Sequence, residues 1–369
     1  MRNSFAILMT LIFASIVVSA QVSPAEIGAL FAKFASPRDP GCAVLVIKDG
    51  KPVFQEGYGI TDLRTLHPIG AQTNFRLASL TKQFTATVIM LLVHDGKLHY
   101  DDTLTGIFPD FPAYGKAITV RHLLNHTSGL IDYEDIMDKQ YAGVPPDKIP
   151  QIKDAGVLAL LKQQTYTKFP PGTRWEYSNS GYVVLAMVVE KVAGMSFGDF
   201  LGERVFKPLA MNHTIAYENG RNEVAGRAYG HTRIDNAWRE TDQSSTSATL
   251  GDGGVYTSLD DLEKWDRALT SHTLLTTTEM EPALTAPTVH GAPLQKPDGT
   301  IAPRYGFGWF LDPYRGHTRY SHYGETVGFR TAIQRFPDDR LTVIVFANRA
   351  DLDAPAMAES VAGLYLGKR

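Results

Sequence analysis

Phe75-Arg-Leu-Ala-Ser79-Leu-Thr-Lys82-Gln-Phe84 sets a serine and a lysine three residues apart, at the mouth of the most apolar helical run in the chain. That run, Phe84 to His94, is brought to a stop by Asp95-Gly96. At i and i+3 the two side chains share one helical face. A lysine takes a proton from a hydroxyl only when burial or positive neighbours pull its pKa below about 10.4, and a cleft does this. A helix N-terminus favours negative charge and offers free backbone N–H groups, so the Ser79 amide is a candidate oxyanion donor. Alone the motif is weak, because S-x-x-K recurs in many helices, and by itself it reads first as a solvated N-cap serine followed by a surface lysine.

Two further stretches carry chemistry. Trp175-Glu-Tyr177-Ser-Asn179-Ser-Gly-Tyr182 stands directly before the apolar helix Val183 to Val192. A phenol beside Lys82 is expected to exist partly as phenolate and to act as general base toward Ser79, while the Asn179 amide orients a substrate carbonyl. The competing reading is a turn with an Asn cap. His322-Tyr-Gly324-Glu325-Thr-Val-Gly328-Phe329 enters an edge-like strand. Gly324 lets the backbone come close to a ligand, and the Glu325 N–H is a candidate for the second oxyanion donor. His322, with an unperturbed pKa of about 6.5, is expected to be mostly neutral at pH 7.5 and to gain charge toward pH 6; alternatively it only packs the strand.

The rest of the chain bounds these readings. It has 369 residues, 44% hydrophobic and 20% charged, enough to bury a large core. With 36 basic and 39 acidic side chains and no polybasic run, it has no electrostatic footing for nucleic acid, and a small-molecule ester, amide or peptide substrate is expected. Arg2, the apolar run Phe5 to Val18 and the small residues Val18-Ser19-Ala20 read as a signal peptide over 1–20, with the mature chain beginning near Gln21. The run falls short of the roughly 18 residues a membrane span needs, so a secreted or periplasmic protein without a stable span is expected. Cys42 is the only cysteine, so no internal disulfide forms, and its apolar run Cys42 to Ile47 marks it as a buried small hydrophobe.

An amphipathic stretch, Pro24 to Phe34, precedes two β-rich runs, Ala43 to Lys48 and Pro52 to Tyr58, which flank Asp49-Gly50 as a hairpin. Gly328 to Phe336 and Leu341 to Ala347 flank Pro337-Asp338-Asp339, and Ala354 to Leu366 closes as a helix. Between them, Leu98 to Thr300 reads as helix-rich and broken by Pro/Gly loops. The expected architecture is α/β of the α+β kind. An antiparallel sheet flanked by helices is built from both ends of the chain, about 21–97 and 301–369. A largely helical lobe, about 98–300, is inserted between them.

Taken together, the three motifs resemble those of the serine β-lactamase and penicillin-binding-protein superfamily, in its class C-like branch of esterases and D-stereospecific peptidases. Leu123-Leu-Asn-His126-Thr-Ser-Gly129-Leu130, Gly251-Asp-Gly-Gly254-Val-Tyr and Tyr305-Gly-Phe-Gly-Trp309 agree with the resemblance, which covers nearly the whole mature chain. It implies Ser79 as acylated nucleophile, Lys82 and Tyr177 sharing the proton work, Asn179 contacting the acyl side chain, and no cofactor or metal. His322 stands where class C β-lactamases have the lysine of Lys-Thr-Gly, which puts efficient β-lactam hydrolysis in doubt. A class C-like β-lactamase, a D-alanyl-D-alanine carboxypeptidase and a non-catalytic penicillin-binding sensor are the alternatives. Two rival chemistries are weaker. Gly194-Met-Ser196-Phe-Gly198 matches G-x-S-x-G, but a helix precedes it where a nucleophile elbow needs a strand. His122 and His126 stand at i, i+4 without the acidic residue of H-E-x-x-H.

Overall fold

The computed structural model describes residues 22–367, so the proposed signal peptide lies outside the described residues. A five-stranded antiparallel sheet forms the frame. Its strands are β1 (Cys42–Lys48), β2 (Lys51–Tyr58), β3 (Tyr320–Thr326), β4 (Phe329–Phe336) and β5 (Leu341–Ala347), in the spatial order β3-β4-β5-β1-β2. Both expected hairpins are present. They are joined edge to edge by β1 and β5, paired from Cys42↔Ala347 to Lys48↔Leu341. These two strands are the continuous apolar runs, and they occupy the centre of the sheet, where both faces are covered.

Helices α1 (Pro24–Phe31) and α4 (Ala354–Tyr365) cover one face, packing Ile27, Phe31 and Val361 against Val44, Val46, Val343 and Val345. Helix α2 (Lys82–His94) lies on the other side of the sheet and packs against α3 (Asn179–Ala193). Because α2 is apolar nearly all round, it belongs in the centre of the protein, between the sheet and the other helices. Its position brings the serine motif against edge strand β3 at Gly324.

The middle of the chain holds more strand than its composition predicts. Val255–Thr257 pairs with Phe75–Arg76 and Ile215–Ala216, and His231–Ile234 forms a hairpin with Ala237–Glu240. Runs of two to four residues are too short to show a period of two, and only the partner segment reveals them. Gly194 ends α3 at φ 69°, and Ser196 caps the next helix by accepting the Asp199 N–H. No described helix is long and apolar enough to cross a membrane.

Candidate active site

Ser79 sits in a 3-10 turn, Ala78–Thr81, that runs directly into α2. The preceding residue, Ala78, is held at φ 49°, in the left-handed region that costs a non-glycine residue energy. Two anchors hold it there. Leu77 N–H donates to Val255 O at 2.9 Å, and Thr331 Oγ1 donates to Leu77 O at 2.8 Å. The serine is thereby fixed between the short sheet and the edge of the main one.

Lys82 is fully buried, which rules out the surface-lysine reading. Its Nζ donates to Ser79 Oγ at 3.1 Å, Asn179 Oδ1 at 2.8 Å and the Asp252 carbonyl at 3.0 Å. Burial pulls its pKa down to about 8, against the opposing pull of Asp252, Asp132 and Glu134. The loop carrying the Asp252 carbonyl is itself clamped: Asp154 accepts the Leu250 and Gly251 N–H groups, and Thr85 donates to Gly251 O.

The Tyr177 phenol faces Ser79, and its ring lies 4.9 Å from Lys82 Nζ. Burial raises its pKa well above the ordinary value, although its interaction with Ser79 pulls the other way. The expected resting phenolate is therefore corrected: a buried phenol stays protonated because its anion would lose hydration and would be repelled by Asp252 and Asp132. Neighbours fix its place. Ser178 N–H donates to His126 Nδ1 at 3.1 Å, Glu176 N–H to His126 O at 3.1 Å, and Trp175 N–H to Gln295 O at 3.0 Å. The His126 ring packs on Tyr177 with centroids 4.3 Å apart.

His322 is buried on edge strand β3, with Nε2 3.0 Å from the Tyr305 hydroxyl and Nδ1 2.8 Å from the Tyr323 carbonyl. Burial, reinforced by the Lys82 charge, lowers its pKa to about 3. The expected gain of charge toward pH 6 is corrected accordingly, since an imidazolium there would be desolvated beside a cation. Gly324 is the contact point between the sheet and the Ser79 turn: a Cβ on it would lie 2.1 Å from Leu77 O and 3.0 Å from Ser79 N. This closeness brings the β3 backbone at Gly324 against the Ser79 backbone. The Glu325 side chain is exposed, with Arg330 at 3.9 Å.

Asn179 is held by three contacts within the protein. Its Oδ1 is taken by Lys82, its Nδ2 donates to Glu134 Oε2 at 3.3 Å, and its N–H donates to Asp132 Oδ2 at 2.7 Å. Asp132, Glu134 and Asp252 were missed by sequence reasoning. Asp252 lay unassigned within a motif already quoted, while Leu130-Ile-Asp132-Tyr-Glu134 bears no local sign of chemistry. Burial and mutual repulsion raise Asp132 above its ordinary value and push Glu134 up to about 7. Tyr133 donates to Asp252 Oδ2 at 3.0 Å.

The rival sites do not assemble. His122 and His126 are engaged separately, His122 Nδ1 by the Thr119 N–H, and no metal-holding group of three or more His, Cys, Asp or Glu occurs among the described residues. Ser196 serves only as a helix cap, with Asp199 and Arg221 as its polar partners.

Comparison with known proteins matches the Beta-lactamase family over residues 29–365. Penicillin-binding protein 4* of Bacillus subtilis (strain 168) is 33% identical over 321 residues, covering 84% of this chain and 68% of that protein. The D-aminopeptidase of Brucella anthropi is 30% identical over 311 residues, 84% of this chain. The chain spans only 56% of that relative's length. The penicillin binding protein from Bacillus halodurans has a solved structure with TM-score 0.76 to this one at 25% identity, covering 92% of this chain and 99% of that one.

Proposed function

This chain belongs to the Beta-lactamase family and is a serine hydrolase, and on that premise we propose that it is an exported amidase or peptidase acting through a Ser79 acyl-enzyme. The observation that carries the reading is a fully buried lysine, 3.1 Å from a serine hydroxyl, with a pKa pulled down to about 8. Neutral Lys82 takes the Ser79 proton as Oγ bonds to the substrate carbonyl carbon. The carbonyl oxygen becomes an oxyanion held by the Ser79 and Glu325 N–H groups. On collapse, the bond to the leaving amine breaks and the amine receives a proton passed through Lys82 and Tyr177. Water then attacks the ester, giving its proton back along the same pair and restoring the Ser79 hydroxyl.

An uncharged or amine-bearing substrate fits the electrostatics better than a carboxylate-bearing β-lactam. His322 is neutral where a β-lactamase-like lysine would be cationic, and Asp132, Glu134 and Asp252 crowd the Lys82 side of the site. A D-aminopeptidase among its relatives points to amides of D-amino acids. The apolar run Phe5 to Val18 directs export, with the mature chain beginning near Gln21.

The test is a set of initial rates on a D-amino-acid amide and its L-enantiomer, a D-Ala-D-Ala peptide, short-chain p-nitrophenyl esters and nitrocefin. The D-amide is expected to lead. Mass spectrometry after fluorophosphonate treatment should place the adduct on the Ser79 peptide, and Ser79→Ala should abolish it. An adduct on Ser196 would overturn the assignment, and nitrocefin turned over faster than the amides would overturn the substrate class.

A further inference from the structure

The Asn179 side-chain amide lies between a donor and an acceptor. Lys82 Nζ donates to its Oδ1 at 2.8 Å, and its Nδ2 donates to Glu134 Oε2 at 3.3 Å. An ammonium only donates and an ionised carboxylate only accepts, so this pair of partners leaves the amide one orientation. The backbone of Asn179 is tied separately, through its N–H to Asp132 Oδ2. Only the side-chain amide has a choice of direction, and Glu134 makes that choice.

We propose that Glu134 is a positioning residue: its carboxylate fixes the Asn179 amide with the oxygen toward Lys82, and protonation of Glu134 lets the amide turn over. The proposal rests on the reading of Ser79 as nucleophile and Lys82 as base. A protonated carboxyl donates, and its natural partner is then Asn179 Oδ1. With the amide reversed, Nδ2 faces Lys82 Nζ, donor against donor. Lys82 loses the shortest of its three acceptor contacts and is left with Ser79 Oγ and the Asp252 carbonyl alone to place it.

The surroundings put this change in a useful range. Glu134 is faced by Asp132 from its own segment, by Asp252 from the 251–254 loop and by Lys82 from α2. Burial and the two carboxylates push it up to about 7, against Lys82 and the Asn179 hydrogen bond. Farther out, Lys168 is occupied by Asp135 at 3.1 Å and by Glu176 at 2.5 Å. The active form therefore needs an ionised Glu134 together with a neutral Lys82, and two protons leave on the way to it.

The experiment follows the rate of Ser79 modification by a fluorophosphonate from about pH 5.5 to about pH 9.5, in the full-length enzyme and in Glu134→Gln. Below the lower transition the logarithm of the wild-type rate should climb with a slope approaching two, and in Glu134→Gln that slope should fall by about one. The Glu134→Gln plateau should lie about tenfold lower, because glutamine presents either an acceptor or a donor to the amide. The slope does not depend on how much of the variant is folded. A Glu134→Gln profile with the wild-type slope, merely scaled down, overturns the proposal. Wild-type enzyme that takes up no adduct at Ser79 overturns the nucleophile reading, and the proposal with it.

Discussion

Replacing Lys82 with methionine should uncover a stability cost that the site carries for its chemistry. In the folded chain the Lys82 pKa is about 8, against an ordinary value of 10.5. Below both values the folded and unfolded chains each hold the proton, and the folded state bears the full penalty of burying the ammonium. Between them the unfolded chain binds more protons than the folded one, so this group makes the wild type more stable as pH rises. The whole gap corresponds to about 3 kcal/mol, of which about 2 kcal/mol is recovered between pH 8 and pH 10. Lys82→Met has no such group. It does leave Asn179 Oδ1 and the Asp252 carbonyl short of a donor, at a cost that does not vary with pH over this range. The stability difference between wild type and Lys82→Met should therefore move by about 2 kcal/mol in favour of the wild type from pH 8 to pH 10. Urea denaturation of both proteins at several pH values measures it, with every other lysine and tyrosine cancelling in the comparison. A constant difference would mean that the fold does not perturb Lys82, and an unperturbed lysine is too rarely neutral to serve as the base. Lys82→Met should be inactive at every pH.

Three further outcomes test the site. Because burial and Lys82 hold His322 near a pKa of about 3, kcat/KM for a carboxylate-bearing ester relative to its methyl ester should stay flat from pH 8 to pH 6, and His322→Lys should raise it; a rise toward pH 6 in the wild type that His322→Gln abolishes would show the imidazole titrating there. Gly324→Ala sets a Cβ 2.1 Å from Leu77 O and 2.5 Å from Thr331 Oγ1, so kcat/KM should fall by about a hundredfold and stability by about 1–3 kcal/mol, checked by kinetics and thermal melting, whereas near-normal activity would show that β3 does not press on the nucleophile. Thr331→Val leaves the buried Leu77 carbonyl without the 2.8 Å donor and should cost about 1–3 kcal/mol in urea denaturation, together with a fall in kcat; unchanged stability would remove this anchor from the account of the strained turn before Ser79.

What the amino-acid order alone determined is local in origin. Apolar runs ending at Asp49-Gly50 and Pro337-Asp338-Asp339 specify two hairpins, and Ser79 with Lys82 specifies one face at a helix mouth, because chain geometry relates near neighbours directly. The tertiary structure alone decided what those groups are. Lys82 has a lowered pKa because the packed α2 excludes water from it, and Tyr177 and His322 stay neutral for the same reason, though in isolation their side chains would suggest a phenolate and a titrating imidazole. Asp132, Glu134 and Asp252 reach Lys82 from positions far apart in the chain, so no spacing announces them. Desolvation and charge act through space rather than along the backbone, and they exist only once the fold has chosen which residues meet.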